Sequence, residues 1–237
     1  MQERLLAWFQ TNGRDLPWRR TRDPYAILVS EVMLQQTQVS RVASRWEEWL
    51  ARWPTAAALA AASPAEVIRA WQGLGYNRRA LALHRAARVV AERGWPDDLT
   101  ELPGVGPYTA AAVANFGFGR PELPVDVNVG RVLERTGGPF GPESAQALFD
   151  LGATVCLARV PRCGACPLAR KCPSRGQTFA PARKQGPFEG SFRQRRARLL
   201  RLVAGAPQPA DLDPEAARSL LADGLVVLDD DLVKLPA

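Results

Sequence analysis

The chain has 237 residues, 46% hydrophobic and 23% charged, which is an ordinary balance for a soluble globular protein with a sizeable core. Its net charge of +7 suits a polyanionic partner such as nucleic acid, and nearly all the positive charge is arginine. No apolar run approaches the roughly 20 residues of a membrane span, and the opening MQERLLAWFQ has no signal-peptide pattern, so an intracellular protein is expected.

Apolar periodicity predicts an all-α body, with helices over about residues 2–11, 24–38, 40–52, 64–72, 78–93, 107–117, 127–136 and 143–156. The second of these carries Glu31, in SEVMLQQTQV, with Ile27 and Gln35 four residues away on either side. Neither neighbour is a salt-bridge partner. The bland reading is an exposed glutamate. The functional one is a carboxyl in a partly apolar pocket, which keeps its proton to higher pH and acts as an acid near neutrality. Ser63-Pro64-Ala65-Glu66 has the form of a capping box with proline at the first helical position, which marks the start of the fourth helix.

Residues 102–106 read LPGVG and lead into a helix. The loop lacks the Lys-Ser/Thr of a phosphate-binding P-loop, and also the third glycine and strand context of a dinucleotide fingerprint. Lying between helices, it reads as a helix-hairpin-helix over about residues 99–117. Gly104 and Gly106 would let backbone N–H groups approach a phosphate, and the next helix adds its positive end. A packing turn is the plain alternative. Further on, in VDVNVGRVLER, Asp126 precedes a helical stretch. It reads as an N-cap, and a carboxylate held there can also face a developing positive charge.

All four cysteines fall in one short stretch, as Cys156-x6-Cys163-x2-Cys166-x5-Cys172. Thiols this close in an intracellular protein point to a metal site rather than disulfides. Zinc and a [4Fe–4S] cluster are both open. The presence of one Cys-x-x-Cys pair instead of two leans toward the cluster. Residues 173–190 read as a linker rich in Pro, Gly, Gln and basic residues. Beyond it come a basic amphipathic helix in SFRQRRARLLRLV, a second helix capped by Asp213-Pro214, and a hairpin in LVVLDDDLVKL. This α/β tail, 191–237, is either a reduced winged-helix module or a plain small appendage.

DPYAILVSEVMLQQTQV, WQGLGYNRRALALHRAA, LPGVGPYTAAAV, VDVNVGRVL and the cysteine loop, taken together, resemble the MutY family of adenine DNA glycosylases. That family belongs to the endonuclease III-like helix-hairpin-helix superfamily. The motifs stand in the family's order over about residues 14–172. The resemblance implies a helix-hairpin-helix glycosylase domain over residues 1–172, with an iron–sulfur loop at 156–172 holding a [4Fe–4S] cluster on the four cysteines. It also implies a monomeric, cytoplasmic, nucleoid-associated bacterial enzyme. Its partner would be double-stranded DNA in which adenine is mispaired with 8-oxoguanine or guanine, and the base would be flipped out before its N-glycosidic bond is hydrolysed.

Residue by residue, Glu31 matches the glutamate that protonates adenine, and Asp126 the aspartate that stabilises the oxocarbenium-like sugar. Asn128 matches an asparagine near the leaving base. Tyr76 matches an aromatic wedge beside the oxidised guanine, and Gln36 a glutamine that fills the stack. Leu102, Gly104, Val105 and Gly106 fall in the DNA-gripping hairpin, and Arg14, Leu16, Trp18, Arg19 and Asp150 where the adenine pocket is built. Tyr108 stands where bifunctional relatives carry a Schiff-base lysine. With no lysine before Lys171, monofunctional hydrolysis is expected.

Three departures from the family stand out. The 126–156 segment is short, Asn77 replaces a common tyrosine, and the tail is too short for a Nudix-like domain. They predict that discrimination between 8-oxoguanine and guanine is weaker, or depends on Tyr76, Gln36 and the tail. A thymine or uracil mismatch glycosylase of the same superfamily is the rival enzyme. A non-catalytic iron–sulfur DNA-binding protein is the rival of a different class.

Overall fold

In the computed structural model the described residues are 1–180 and 186–237, so residues 181–185 of the expected linker lie outside them. The helices are α1 Gln2–Asn12, α2 Pro24–Leu34, α3 Val39–Arg52, α4 Ala56–Ala60, α5 Pro64–Ala70, α6 Arg78–Arg93, α7 Pro107–Phe116, α8 Val127–Thr136, α9 Ala145–Thr154, α10 Phe192–Gly205 and α11 Pro214–Ala222. Three short strands, β1 Gln208–Pro209, β2 Val227–Asp229 and β3 Leu232–Lys234, lie in the tail. Among the described residues no helix is long and apolar enough to cross a membrane.

The largest difference from the sequence expectation is at the end of α2, which stops at Leu34 instead of reaching residue 38. Gln36 adopts a left-handed backbone, φ +56°, and Thr37 N–H folds back onto the Leu34 carbonyl at 3.2 Å. A left-handed residue cannot continue a right-handed helix. The alanine-rich α4 was not anticipated. It is marked by Thr55, whose Oγ1 accepts from Ala58 N–H at 3.1 Å. The capping box is present: Ser63 Oγ accepts from Glu66 N–H, and Glu66 Oε2 accepts from Ser63 N–H at 3.0 Å.

Two compact units are formed, each from two pieces of chain: Met1–Ile27 with Gly106–Lys184, and Leu28–Val105 with Gln185–Ala237. In the first, α9 packs against α1 and α8, and Leu5, Val129, Val132, Leu148 and Leu151 form the core. In the second, α6 packs against α4 and α5, while Trp49 meets Trp53 and Trp71 edge-on at 4.7 and 5.5 Å.

The tail belongs to the second unit. Leu199, Leu200 and Val203 of α10, Ala216 and Leu220 of α11, and Val233 of β3 share one core with Ile68 of α5 and Leu81 of α6. Its sheet is antiparallel in the order β1-β3-β2, with Leu228 opposite Val233 and Gln208 opposite the same residue. The two helices and the hairpin follow the sequence pattern; the two-residue β1 was not read from it.

Candidate active site

In the first unit, Asp126 caps α8. Its Oδ1 accepts from the Asn128 and Val129 N–H groups at 2.9 and 2.7 Å, and its Oδ2 accepts from Asn128 Nδ2 at 2.9 Å. The carboxylate therefore sits at the positive end of the helix while staying partly open to solvent. Arg131, one turn along α8, holds the other end of the asparagine. Its Nη2 donates to Asn128 Oδ1 at 2.8 Å and to the Gly152 carbonyl at 2.7 Å, and its Nε donates to the Cys156 carbonyl at 2.8 Å. Gly152, on α9, is what lets the helices come this close. A Cβ there would lie 2.9 Å from both the Cβ and the carbonyl oxygen of Asn128. Arg131 and Gly152 were not singled out from the sequence, because an arginine on a polar helix face and a glycine in a helix carry no signal of their own.

Arg14, Arg19 and Asp150 are brought together. Asp150 is fully buried on α9 and accepts from Arg14 Nε and backbone N–H at 2.7 and 2.8 Å, and from Arg19 Nη1 and Nη2 at 2.9 and 2.8 Å. Burial by itself raises the pKa of a carboxyl, but hydrogen bonds from Arg19 and the Arg14 backbone, with the charge of Arg19, hold Asp150 below the usual range. Leu16 and Trp18 flank this cluster in sequence, Leu16 half-buried and Trp18 buried in a 3₁₀ turn over Pro17–Arg20. Tyr108, near the start of α7, is half-buried and meets Phe149 edge-on at 6.1 Å.

The four cysteines line one cavity, together with Arg135, Thr136, Leu151 and Val155. Burial and the nearness of the other three thiols push the Cys166 thiol up. Arg135, almost wholly buried, turns its guanidinium to this loop. Its Nη1 donates to Cys156 Sγ at 3.5 Å and to the Leu157 carbonyl at 2.7 Å, and it lies 3.5 Å over the Phe179 ring. Among the described residues no three His, Cys, Asp or Glu side chains converge as ligands of a single metal ion.

In the second unit, Glu31 is 6% exposed, within a run of α2 that is buried from Tyr25 to Met33. The exposed-glutamate reading is therefore excluded. Gln36 and Tyr76 are both exposed, and both have left-handed backbones, φ +56° and +47°. In the hairpin, Leu102 and Val105 are buried, and Val105 N–H closes a turn onto the Leu102 carbonyl at 3.0 Å. Gly104 has φ +78°, and a Cβ there would lie 2.6 Å from that of Ala82 on α6, so the position admits no side chain. Gly106 caps α7 with Pro107 at the first helical position, and a Cβ on it would meet only open space.

A model of the family described as "HhH-GPD superfamily base excision DNA repair protein" matches residues 29–151. The adenine DNA glycosylase of Mycobacterium tuberculosis strain H37Rv is 44% identical over 273 aligned residues, covering 94% of this chain and 88% of that protein. The human adenine DNA glycosylase is 40% identical, over 72% of this chain and 38% of its own length. Among solved structures, a thermostable thymine-DNA glycosylase aligns with a TM-score of 0.65 and 28% identity, over 72% of this chain and 93% of that one. A trapped endonuclease III–DNA covalent intermediate aligns with a TM-score of 0.62 at 23% identity, over 73% and 92%, which shows a shared fold. By its matched motifs and its likeness over nearly its whole length, the chain belongs to the HhH-GPD superfamily of base excision DNA repair proteins, and within it to the adenine DNA glycosylases.

Proposed function

We propose that this protein is a monofunctional glycosylase that removes adenine mispaired with 8-oxoguanine or guanine in double-stranded DNA. The near full-length likeness to a mycobacterial adenine DNA glycosylase carries the reading, and the settings of the two carboxylates agree with it. Glu31 donates a proton to the flipped adenine. The bond from C1′ to the base breaks with its electron pair leaving on the base, and Asp126 faces the positive charge left on the sugar. Water then adds at C1′ and returns a proton to Glu31. Asn128, fixed by Asp126 and Arg131, orients groups near the leaving base. The lysines are Lys171, Lys184 and Lys234, and by the resemblance Tyr108 stands where the lyases carry their Schiff-base lysine, so hydrolysis without a Schiff base is expected. Arg14, Arg19 and Asp150, with Leu16 and Trp18, shape the base pocket. Leu102, Gly104, Val105 and Gly106 present hairpin N–H groups to a phosphate.

The cysteine loop fits a [4Fe–4S] cluster. Four thiols line a shared cavity, and their spacing, with one Cys-x-x-Cys pair instead of two, suits a polynuclear group better than structural zinc. The cluster's positive irons would offset four thiolates that otherwise repel one another. Cys156, Cys163, Cys166 and Cys172 would hold it, and Arg135 would face its negative charge. We read the enzyme as a cytoplasmic monomer working along the nucleoid.

A panel of duplexes carrying A·8-oxoG, A·G, T·G and U·G, scored for base release, tests the function. Adenine release is expected from the first two. Glu31→Gln and Asp126→Asn are each expected to lower the single-turnover rate by about 10²-fold or more. Thymine release without adenine release would show a mismatch glycosylase of the rival kind, and binding without any release would show a non-catalytic protein.

A further inference from the structure

One guanidinium in the second unit makes more bonds than its place in the first turn of α6 requires. Arg79 Nη1 donates to the carbonyls of Val32, Met33 and Gln35 at 2.7, 2.9 and 2.5 Å. Its Nη2 donates to Thr37 Oγ1 and to the carbonyls of Leu74 and Gly75 at 2.9, 3.2 and 2.9 Å, and its Nε reaches the Tyr76 carbonyl at 3.3 Å. A guanidinium has five N–H groups in a fixed fork, so some of these donors are shared. Every acceptor is a carbonyl or a hydroxyl. The cation also lies 5.2 Å over the Trp71 ring and 5.6 Å over that of Tyr76. Burial lowers its pKa to about 10, which leaves it charged at neutral pH.

The acceptors fall in two segments far apart in sequence. One is the end of α2 with the turn after it, residues 32–37; the other is the turn before α6, residues 74–76. Each holds a left-handed residue that is not glycine, Gln36 and Tyr76, and among the described residues only Asp230 shares that property. Such a backbone is strained for a residue with a side chain and persists where its surroundings hold it. Two further bonds tighten the arrangement. Thr37 Oγ1 donates across the segments to the Leu74 carbonyl at 3.2 Å, and Trp71 Nε1 donates to the Gly75 carbonyl at 3.0 Å. An arginine capping α2 would account for the bonds to Val32 and Met33 alone. The bonds to Leu74, Gly75 and Tyr76 need another reason.

We propose that Arg79 is a positioning residue for mispair recognition, tying the two segments together so that the exposed side chains of Gln36 and Tyr76 meet the duplex as one preset pair. What the pair meets rests on the glycosylase reading above; the tie itself is a property of the free protein. A preset pair need not be ordered at the moment of binding, so the tie favours the duplex that both side chains contact, which the glycosylase reading makes the mispaired one. Lysine cannot replace Arg79, because three donors on one nitrogen do not span both segments.

Arg79→Lys tests this, alone and combined with Tyr76→Ala, and Thr37→Val serves as a milder variant that removes only the hydroxyl bonds. In hydrogen exchange of the free protein, amides of residues 34–38 and 73–77 are expected to exchange faster together in Arg79→Lys, while those of α3 and α11 stay unchanged. The preference for A·8-oxoG over a fully paired duplex is expected to fall about tenfold or more, and the double variant to be no worse than Tyr76→Ala alone. Additive losses, or faster exchange in one segment only, would overturn the proposal. If Arg79→Lys fails to fold, Thr37→Val must show the same paired rise in exchange, and its absence there also overturns the tie. A wild type that releases no adenine would instead overturn the glycosylase reading, with the exchange result still deciding the tie.

Discussion

At the scale of single residues, charges in the first unit act in fixed combinations. Asp150 is the clearest case, a fully buried carboxylate between Arg14 and Arg19. Asp150→Asn would leave two guanidinium groups without their counter-charge, and a loss of about 3–5 kcal/mol in urea unfolding is expected. The pH dependence has a definite sign. The folded-state pKa of Asp150 is depressed, so its contribution is complete above the ordinary aspartate pKa of about 3.9 and is lost as pH falls below that. Wild-type stability should therefore drop steeply on the acid side of pH 4, and Asp150→Asn should flatten that limb. Equal acid limbs would mean that the pair does not govern it. The resemblance put Arg14, Arg19 and Asp150 in one pocket, but no spacing rule in the sequence paired residue 150 with residues 14 and 19.

At the scale of elements, the helices were legible because apolar periodicity and caps are local. Ser63-Pro64 and Asp213-Pro214 both open helices where their chemistry says they should. The end of α2 was not legible, because QQTQ has no breaker residue. What stops the helix is the left-handed Gln36, beside a turn tied by Arg79 to a segment some forty residues away. The tail shows the same limit. Its helices and hairpin could be read, but its sharing of a core with Ile68 and Leu81 could not. Leu200, fully buried in α10, tests that sharing. Leu200→Ala is expected to cost about 2–5 kcal/mol and to lower the same cooperative transition that reports on buried Trp71. A separate, weaker transition confined to the tail would show an independent appendage. The hairpin tip carries Asp229, Asp230 and Asp231, an acidic surface that is poor for phosphate.

For the whole molecule, the net charge of +7 and the cysteine loop are the features of composition that bear on the proposed duplex and cluster. The purified protein is expected to show a visible absorption band and about equal amounts of iron and acid-labile sulfide. Cys166→Ser should abolish both and weaken duplex binding, because Arg131 and Arg135 link α8 to the backbone of the cysteine loop. Zinc in place of iron, with no visible absorption, would refute the cluster.

The sequence by itself determined the helical class, the loop between helices at 102–106, the four-cysteine address and Asp126 as a helix cap, since each is written in local spacing or residue chemistry. The tertiary structure alone decided that Glu31 is buried, that Asp150 is held by two arginines, and that Gly152 allows α9 to approach Asn128. It alone showed that Arg79 joins the Gln36 and Tyr76 turns. The physical reason is common to all four. Burial, ion pairing and close approach depend on which distant segments meet, and short-range periodicity carries no information about that.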